Sequence, residues 1–200
     1  MLPPHVLEPF TKAVSVAVHL DKAVVESIEG APTPLYAQHY RAVNATLNRL
    51  TTQLVNWITA QGSSAYAIPA SQIVDESNLL GSISHKAVAR LAGIGWQGKS
   101  LLIVSPQYGP RIRLATILTD IPLSCDKPVK NRCGTWDECT KACPASAIKN
   151  IRTEDRYANR EDALHFSRCV EQTRRFKARL GIEAQICGVC IRACPFGRRT

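Results

Sequence analysis

The sequence predicts an α+β domain over residues 1–122 and a small cysteine-rich metal module over residues 123–200. Three observations carry this. Strand-like and helix-like apolar patterns follow one another as far as Pro122, after which cysteines, charges and turn residues dominate. Within the second part the step Cys-x3-Cys-Pro occurs twice, at Cys139–Pro144 and Cys190–Pro195, and is the one repeat in the chain.

The elements follow from local pattern. Ala13-Val14-Ser15-Val16-Ala17-Val18 is β-rich and mostly apolar, as a buried strand is. Pro32 and Pro34 punctuate the connection that follows. From Tyr40 the apolar positions Val43, Leu47, Leu50, Leu54 and Trp57 step by three and four, which predicts a long core-facing helix ending near Gly62. Ser64 to Pro69 reads as a strand, and Ser84 caps a short helix through Leu91 that Gly93 ends. Leu101 to Val104 and Ile112 to Leu118 are strand candidates joined through Tyr108-Gly109-Pro110, hence an expected hairpin. One further helix is expected from about Arg160 to Leu180.

With 45% hydrophobic residues in 200, the chain can bury a core, which excludes disorder as the default. No run reaches the roughly 18 apolar residues of a membrane span. The early apolar stretch follows Glu8 without a basic leader, so a cytoplasmic chain with no membrane partner is expected. The net charge of +9 is uneven: residues 1–85 carry four Lys/Arg against six Asp/Glu, while 86–200 carry 21 against 10. A basic half of this kind suits RNA, a phosphate-bearing cofactor or an acidic redox partner, and it also balances the negative charge of iron–sulfur clusters.

Gly93-Ile94-Gly95-Trp96-Gln97-Gly98-Lys99-Ser100 matches the G-x-x-x-x-G-K-S phosphate loop letter for letter. The order of elements argues against that role. A phosphate loop follows a strand and opens a helix, whereas here a helical segment precedes and a strand-like segment follows. Two readings remain open: close backbone approach to a large planar or anionic ligand, or a tight turn with Trp96 in the core.

The cysteines carry the chemistry. Cys187-x2-Cys190-x3-Cys194-Pro195 is the tail of the bacterial-ferredoxin run, and Cys139-x3-Cys143-Pro144 repeats its last step. In that run the cysteine before proline reaches across to the other cluster. Cys143 is then expected with Cys187 and Cys190, and Cys194 with Cys139, leaving Cys125, Cys133 and Cys169 to complete two sets of four. A disulfide scaffold would want a secretion signal and a smaller chain, and structural zinc would want two short hairpin pairs. His5, His19, His39, His85 and His165 form no metal-spaced pair.

On these residues the chain resembles the cobalamin-dependent epoxyqueuosine reductases and the related reductive dehalogenases. The markers are Ser84-His85-Lys86, Ala92-Gly93-Ile94-Gly95-Trp96-Gln97-Gly98-Lys99, Thr119-Asp120-Ile121-Pro122-Leu123, Cys133-Gly134 and the two Cys-Pro motifs. The resemblance implies a flavin-reductase-like mixed sheet with flanking helices that holds cobalamin, fed with single electrons by two 4Fe-4S clusters in a bacterial-ferredoxin-like module. It puts Gly95, Trp96, Gly98 and Lys99 near the corrinoid, with Tyr40 at a helix start as a further contact. Asp75 is the candidate proton donor, set against the plainer reading of a turn carboxylate. The family's cysteine three residues after the first of the module is Trp136 here, so Cys125 is expected to supply that thiolate. The implied ligand sets are Cys125, Cys133, Cys139 and Cys194 for one cluster, and Cys143, Cys169, Cys187 and Cys190 for the other.

The expected function is transfer of electrons from the clusters to a bound corrinoid, with a low-potential electron-donor protein as partner and a small molecule or the cobalamin itself as substrate. The family's extra N-terminal segment and tRNA-binding repeats are missing from this sequence, so tRNA ranks below these. The alternatives are a non-catalytic 4Fe-4S carrier or redox subunit without cobalamin, and a reductase that uses flavin in the same fold.

Overall fold

The computed structural model describes residues 7–198. It is a mixed α+β structure with two small sheets. Strand β1 (Lys12–His19), helix α1 (Lys22–Glu26), helix α2 (Pro34–Ala60), strand β2 (Ala65–Ile68) and helix α3 (His85–Leu91) come first. Strands β3 (Trp96–Gln97), β4 (Ile103–Val104) and β5 (Ile112–Thr119) follow, then helices α4 (Glu138–Lys141), α5 (Arg160–Ala163), α6 (Phe166–Leu180) and α7 (Val189–Ala193). The chain divides into two compact units. One comprises the segment ending at Val18, Ala42–Ile94 and Arg113–Pro128; the other comprises His19–Arg41, Gly95–Ile112 and the chain from Val129 onward. Each is therefore assembled from three separate stretches, where the linear reading places one boundary at 122/123.

In the first unit β5 is the central strand of a three-stranded sheet ordered β1-β5-β2. β2 and β5 run antiparallel, with Ala65 opposite Thr119 and Ile68 opposite Thr116. Thr119 Oγ1 donates to the Ser64 carbonyl at 2.8 Å, and Ser64 N–H donates to Asp120 Oδ1 at 2.8 Å, which pins the start of the pairing. Apolar Ala115 and Ile117 are fully buried, as the centre of a sheet requires. Ser84 caps α3 by accepting from Ala87 N–H, as its sequence position predicts.

Helix α2 begins earlier than its periodicity suggests. Pro34 is its first residue and Thr33 Oγ1 accepts from Tyr36 N–H, because proline at the first helical position gives up no hydrogen bond. Its buried stripe runs through Val43, Leu47, Thr51 and Ile58. Leu54 and Trp57, expected in the core, are exposed, Trp57 at 58%. Thr51 takes the core position because its hydroxyl returns to the Leu47 carbonyl at 3.0 Å and so leaves no unsatisfied donor.

In the second unit the expected hairpin between residues 101–104 and 112–118 does not form. β4 pairs instead with β3, Trp96 opposite Val104 and Gln97 opposite Ile103. Gly95 makes this possible: a Cβ there would stand 2.3 Å from the Val104 carbonyl oxygen, so only glycine lets the two backbones meet. The helix expected from Arg160 to Leu180 is broken in two. Between α5 and α6 the backbone turns extended so that Leu164 bridges Ile148 and His165 N–H reaches the Ala147 carbonyl at 2.8 Å. Gly181, with φ of 61°, ends α6 in the left-handed conformation.

Candidate metal centres

Seven of the eight cysteines lie in the second unit, and Cys125 lies in the first. None of the eight is joined in a disulfide. The ferredoxin-like reading sorts the seven into two sets, and the repulsions between thiols run both within the sets and across them. Cys187, just before α7, is pushed up to about 11 by burial, with Cys169 and Cys143 adding to the rise and the Val189 N–H opposing it. Cys190, on α7, is held well above the ordinary thiol value by burial, and Cys187, Cys169, Cys139 and Cys143 all push it in the same direction. Cys143 Sγ accepts from Ala147 N–H at 3.3 Å. Cys190 thus feels Cys143, Cys169 and Cys187, and feels Cys139 as well.

The second set is Cys133, Cys139 and Cys194. Cys194 is pushed up to about 11 by burial, with Cys139 and Cys133 adding to the rise and Arg111 and the Phe196 N–H opposing it. Cys139 is likewise raised by burial, with Cys133 adding and Lys99 and Thr140 opposing. Buried thiols that repel one another as thiolates form a site that a cationic group stabilises. The donor set fits iron–sulfur clusters. Among the described residues no group of three or more His, Cys, Asp or Glu side chains could hold a single metal ion. A four-iron cluster carries each of its thiolates on a different iron, and so accepts sulfurs that stand farther apart.

The glycine-rich loop serves this second set. Trp96 is 1% exposed, and its Nε1–H donates to Cys133 Sγ at 3.3 Å. Its ring meets Phe196 edge-on, with centroids 5.0 Å apart. A Cβ on Gly98 would stand 2.7 Å from Val104 Cγ2 and 3.6 Å from Cys133 Sγ. Lys99, 5% exposed, gives its ammonium to the Trp136 carbonyl and to Asn150 Oδ1, each at 2.9 Å. Of the two sequence readings, the geometry here matches the turn with Trp96 in the core. As expected for a loop that is not a phosphate loop, helix α3 precedes it and strand β3 lies within it.

Other predicted positions lie elsewhere. Asp75 closes a turn in the first unit: its carboxylate accepts from Asn78 N–H at 3.0 Å and Asn78 Nδ2 at 2.8 Å. The Asn78 hydrogen bonds hold it below the ordinary carboxyl value, opposite to what a proton donor needs. Cys125 is exposed, and its sulfur accepts from Lys12 Nζ at 3.6 Å. Tyr40 is half-buried on α2. His5 lies outside the described residues.

Arg111 is a site residue that sequence reasoning missed. It is 2% exposed and donates to the carbonyls of Phe196 at 2.7 Å, Arg192 at 3.2 Å and Cys194 at 3.4 Å, as well as to Glu26 Oε1 at 3.5 Å. A cation opening the apolar run Ile112 to Leu118 is the signal that marks it.

No family model matches the chain. In sequence it is similar to the epoxyqueuosine reductase of Bacillus subtilis (strain 168), 32% identical over 126 residues, which cover 59% of this chain and 30% of that protein. In fold it is similar to an epoxyqueuosine reductase solved with an epoxyqueuosine-modified tRNA stem loop. The TM-score is 0.65 at 21% identity, covering 97% of this chain and 50% of that one. It is also similar to a reductive dehalogenase whose structure suggests a mechanism for B12-dependent dehalogenation, with a TM-score of 0.69 at 18% identity, covering 93% of this chain and 25% of that one. The chain spans half the length of these relatives or less. The resemblance drawn from the Gly-x-Gly-Trp and Cys-Pro motifs is borne out.

Proposed function

We propose that this chain, a relative of the epoxyqueuosine reductases with a fold shared by the reductive dehalogenases, is an iron–sulfur oxidoreductase that delivers single electrons from two 4Fe-4S clusters. The observation that carries this is the gathering of seven half-buried thiols within one unit, where burial and mutual repulsion raise several of them. Cys143, Cys169, Cys187 and Cys190 would hold one cluster in a ferredoxin-like arrangement. Cys133, Cys139 and Cys194 would supply three thiolates to the other. The clusters, when bound, supply one-electron chemistry at low potential. The protein's part is to bury the sulfurs, donate N–H groups to them from Trp96 and Ala147, and set a buried cation, Arg111, beside Cys194.

A corrinoid is the proposed acceptor, by analogy with the B12-dependent relative. The first unit's sheet is the part proposed to be flavin-reductase-like. Trp96 and Lys99 do not fit a corrinoid contact, because the indole and the ammonium are already engaged by Cys133, Trp136 and Asn150. That engagement favours a second reading, a 4Fe-4S carrier without cobalamin. Helix α6 exposes Arg168, Arg174, Arg175, Lys177 and Arg179 on the element that bears Cys169, which suits docking of an acidic low-potential donor protein. One structural neighbour was solved with an epoxyqueuosine-modified tRNA stem loop, so tRNA stands beside a small molecule or cobalamin as a substrate class for this chain.

Anaerobic reconstitution followed by iron, sulfide, cobalt and flavin analysis tests the reading. Near eight irons per chain is the expected result. Titration of the reduced protein with hydroxocobalamin then separates reductase from carrier: stoichiometric uptake with re-oxidation of the clusters supports the corrinoid acceptor. Iron without uptake leaves the carrier.

A further inference from the structure

The second cysteine set has three members in its unit where a four-iron cluster has four corners. The set built on α7 uses the tight pair Cys187-x2-Cys190, while this one spaces Cys133 and Cys139 by five residues. Midway stands Trp136, 52% exposed, its N–H turned back onto the Cys133 carbonyl at 3.1 Å and its carbonyl held by Lys99. The backbone therefore makes the turn that would present a ligand between the two sulfurs, but the residue there is an indole, which has no lone pair to give a metal.

The nearby oxygens do not replace it. Tyr157 feels both Cys133 and Cys139, yet its phenol is pushed up to about 12 by burial and by those thiols. Its hydroxyl is spent on the Ile151 carbonyl at 2.6 Å. Glu138, next to Cys139, has Oε2 buried without a partner, and it is the carboxylate that Glu138→Gln removes. Cys125 is exposed, and its sulfur already accepts from Lys12 Nζ at 3.6 Å.

We propose that one iron of the cluster held by Cys133, Cys139 and Cys194 carries no protein thiolate and is open to a small anionic donor, either hydroxide or an external thiolate. This rests on the two-cluster reading above and replaces Cys125 as the fourth ligand. An open corner leaves its iron labile. Removal of one electron by an added one-electron oxidant takes the cluster from a 2+ to a 3+ core, which releases that iron as Fe2+ and leaves a three-iron core of charge 1+.

The test uses the anaerobically reconstituted full chain and stoichiometric ferricyanide. The expected result is release of about one iron in eight, with the near-isotropic electron paramagnetic resonance signal of a three-iron cluster. Trp136→Cys, at an exposed position, should abolish both. Mercaptoethanol should alter the spectrum of one reduced cluster in the parent chain and leave Trp136→Cys unchanged. Cys125→Ser and Glu138→Gln should match the parent in iron content and in release. Loss of a cluster in either of those variants, or a parent chain that keeps all its iron under ferricyanide, overturns the open corner while leaving two clusters in place. A chain that takes up no iron overturns the two-cluster reading itself.

Discussion

The Trp96 indole N–H meets Cys133 Sγ at 3.3 Å from a ring that is almost wholly buried. Hydrogen bonds to a cluster thiolate favour the more negative, reduced state and raise its potential. Trp96→Phe keeps most of the apolar contact with Phe196 and removes the donor. If about 1 kcal/mol of the bond is specific to the reduced state, the midpoint potential falls by about 40 mV. An anaerobic redox titration followed by electron paramagnetic resonance reads this directly, and an unshifted midpoint would count against the bond.

Arg111 ties the segment after α7 to the rest of the second unit through three carbonyls. Arg111→Met leaves those three carbonyls without their donor, while Glu26 keeps Arg192 at 3.5 Å. The expected cost is about 1–3 kcal/mol, that of leaving buried acceptors without a donor, since Glu26 is 42% exposed. Urea unfolding of the anaerobic loaded protein should show the midpoint fall at unchanged slope. Iron held by Cys194 should also be lost sooner on chelator challenge.

His85 is a pH-sensitive element of the first unit. Its Nδ1 lies 2.8 Å from Thr116 Oγ1 and its Nε2 lies 3.1 Å from the Pro69 carbonyl. Burial lowers its pKa below the ordinary 6.5, opposed by the Pro69 carbonyl and assisted by the Arg113 charge. Below the unfolded value the unfolded chain binds a proton that the folded imidazole refuses. Stability is therefore present above 6.5 and lost as pH falls through the lower folded value. Melting temperature should drop with acidification across that window in the parent chain, and less steeply in His85→Gln.

Gly95→Ala tests the close approach of β3 to β4. The added methyl would overlap the Val104 carbonyl, so the ribbon must part. A loss of about 1–3 kcal/mol is expected, accompanied by weaker iron retention because Trp96 moves with the strand. Circular dichroism melts and iron analysis of the same preparation give both readings. Gly62→Ala, where a Cβ meets nothing but φ is 85°, serves as the comparison for backbone strain alone.

Much of the architecture was legible because it is set locally. Mostly apolar, β-rich runs predict β1 and β5, Ser84 and Gly93 bracket α3, and the Cys-Pro steps point to clustered thiols. The break between α5 and α6 was not legible, since nothing in Ala163-Leu164-His165 opposes a helix. Only the bridge from Leu164 to Ile148 does. Leu54 and Trp57 obey helical spacing, but which of two adjacent faces is buried depends on what packs there.

By itself the sequence determined the kinds of element, the cysteine inventory and the relatives to which the chain is similar, because spacing along the backbone decides which side chains share a face or a turn. Tertiary structure alone decided that β4 pairs with β3 rather than with β5, that Trp96 donates to Cys133 and Lys99 to the Trp136 carbonyl, and that Arg111 stands beside Cys194. Those outcomes depend on atoms far apart in the chain: a missing Cβ at Gly95 against a carbonyl at Val104, and a guanidinium against carbonyls some eighty residues away. No local pattern encodes such meetings, since they follow from which surfaces the completed fold leaves room to join.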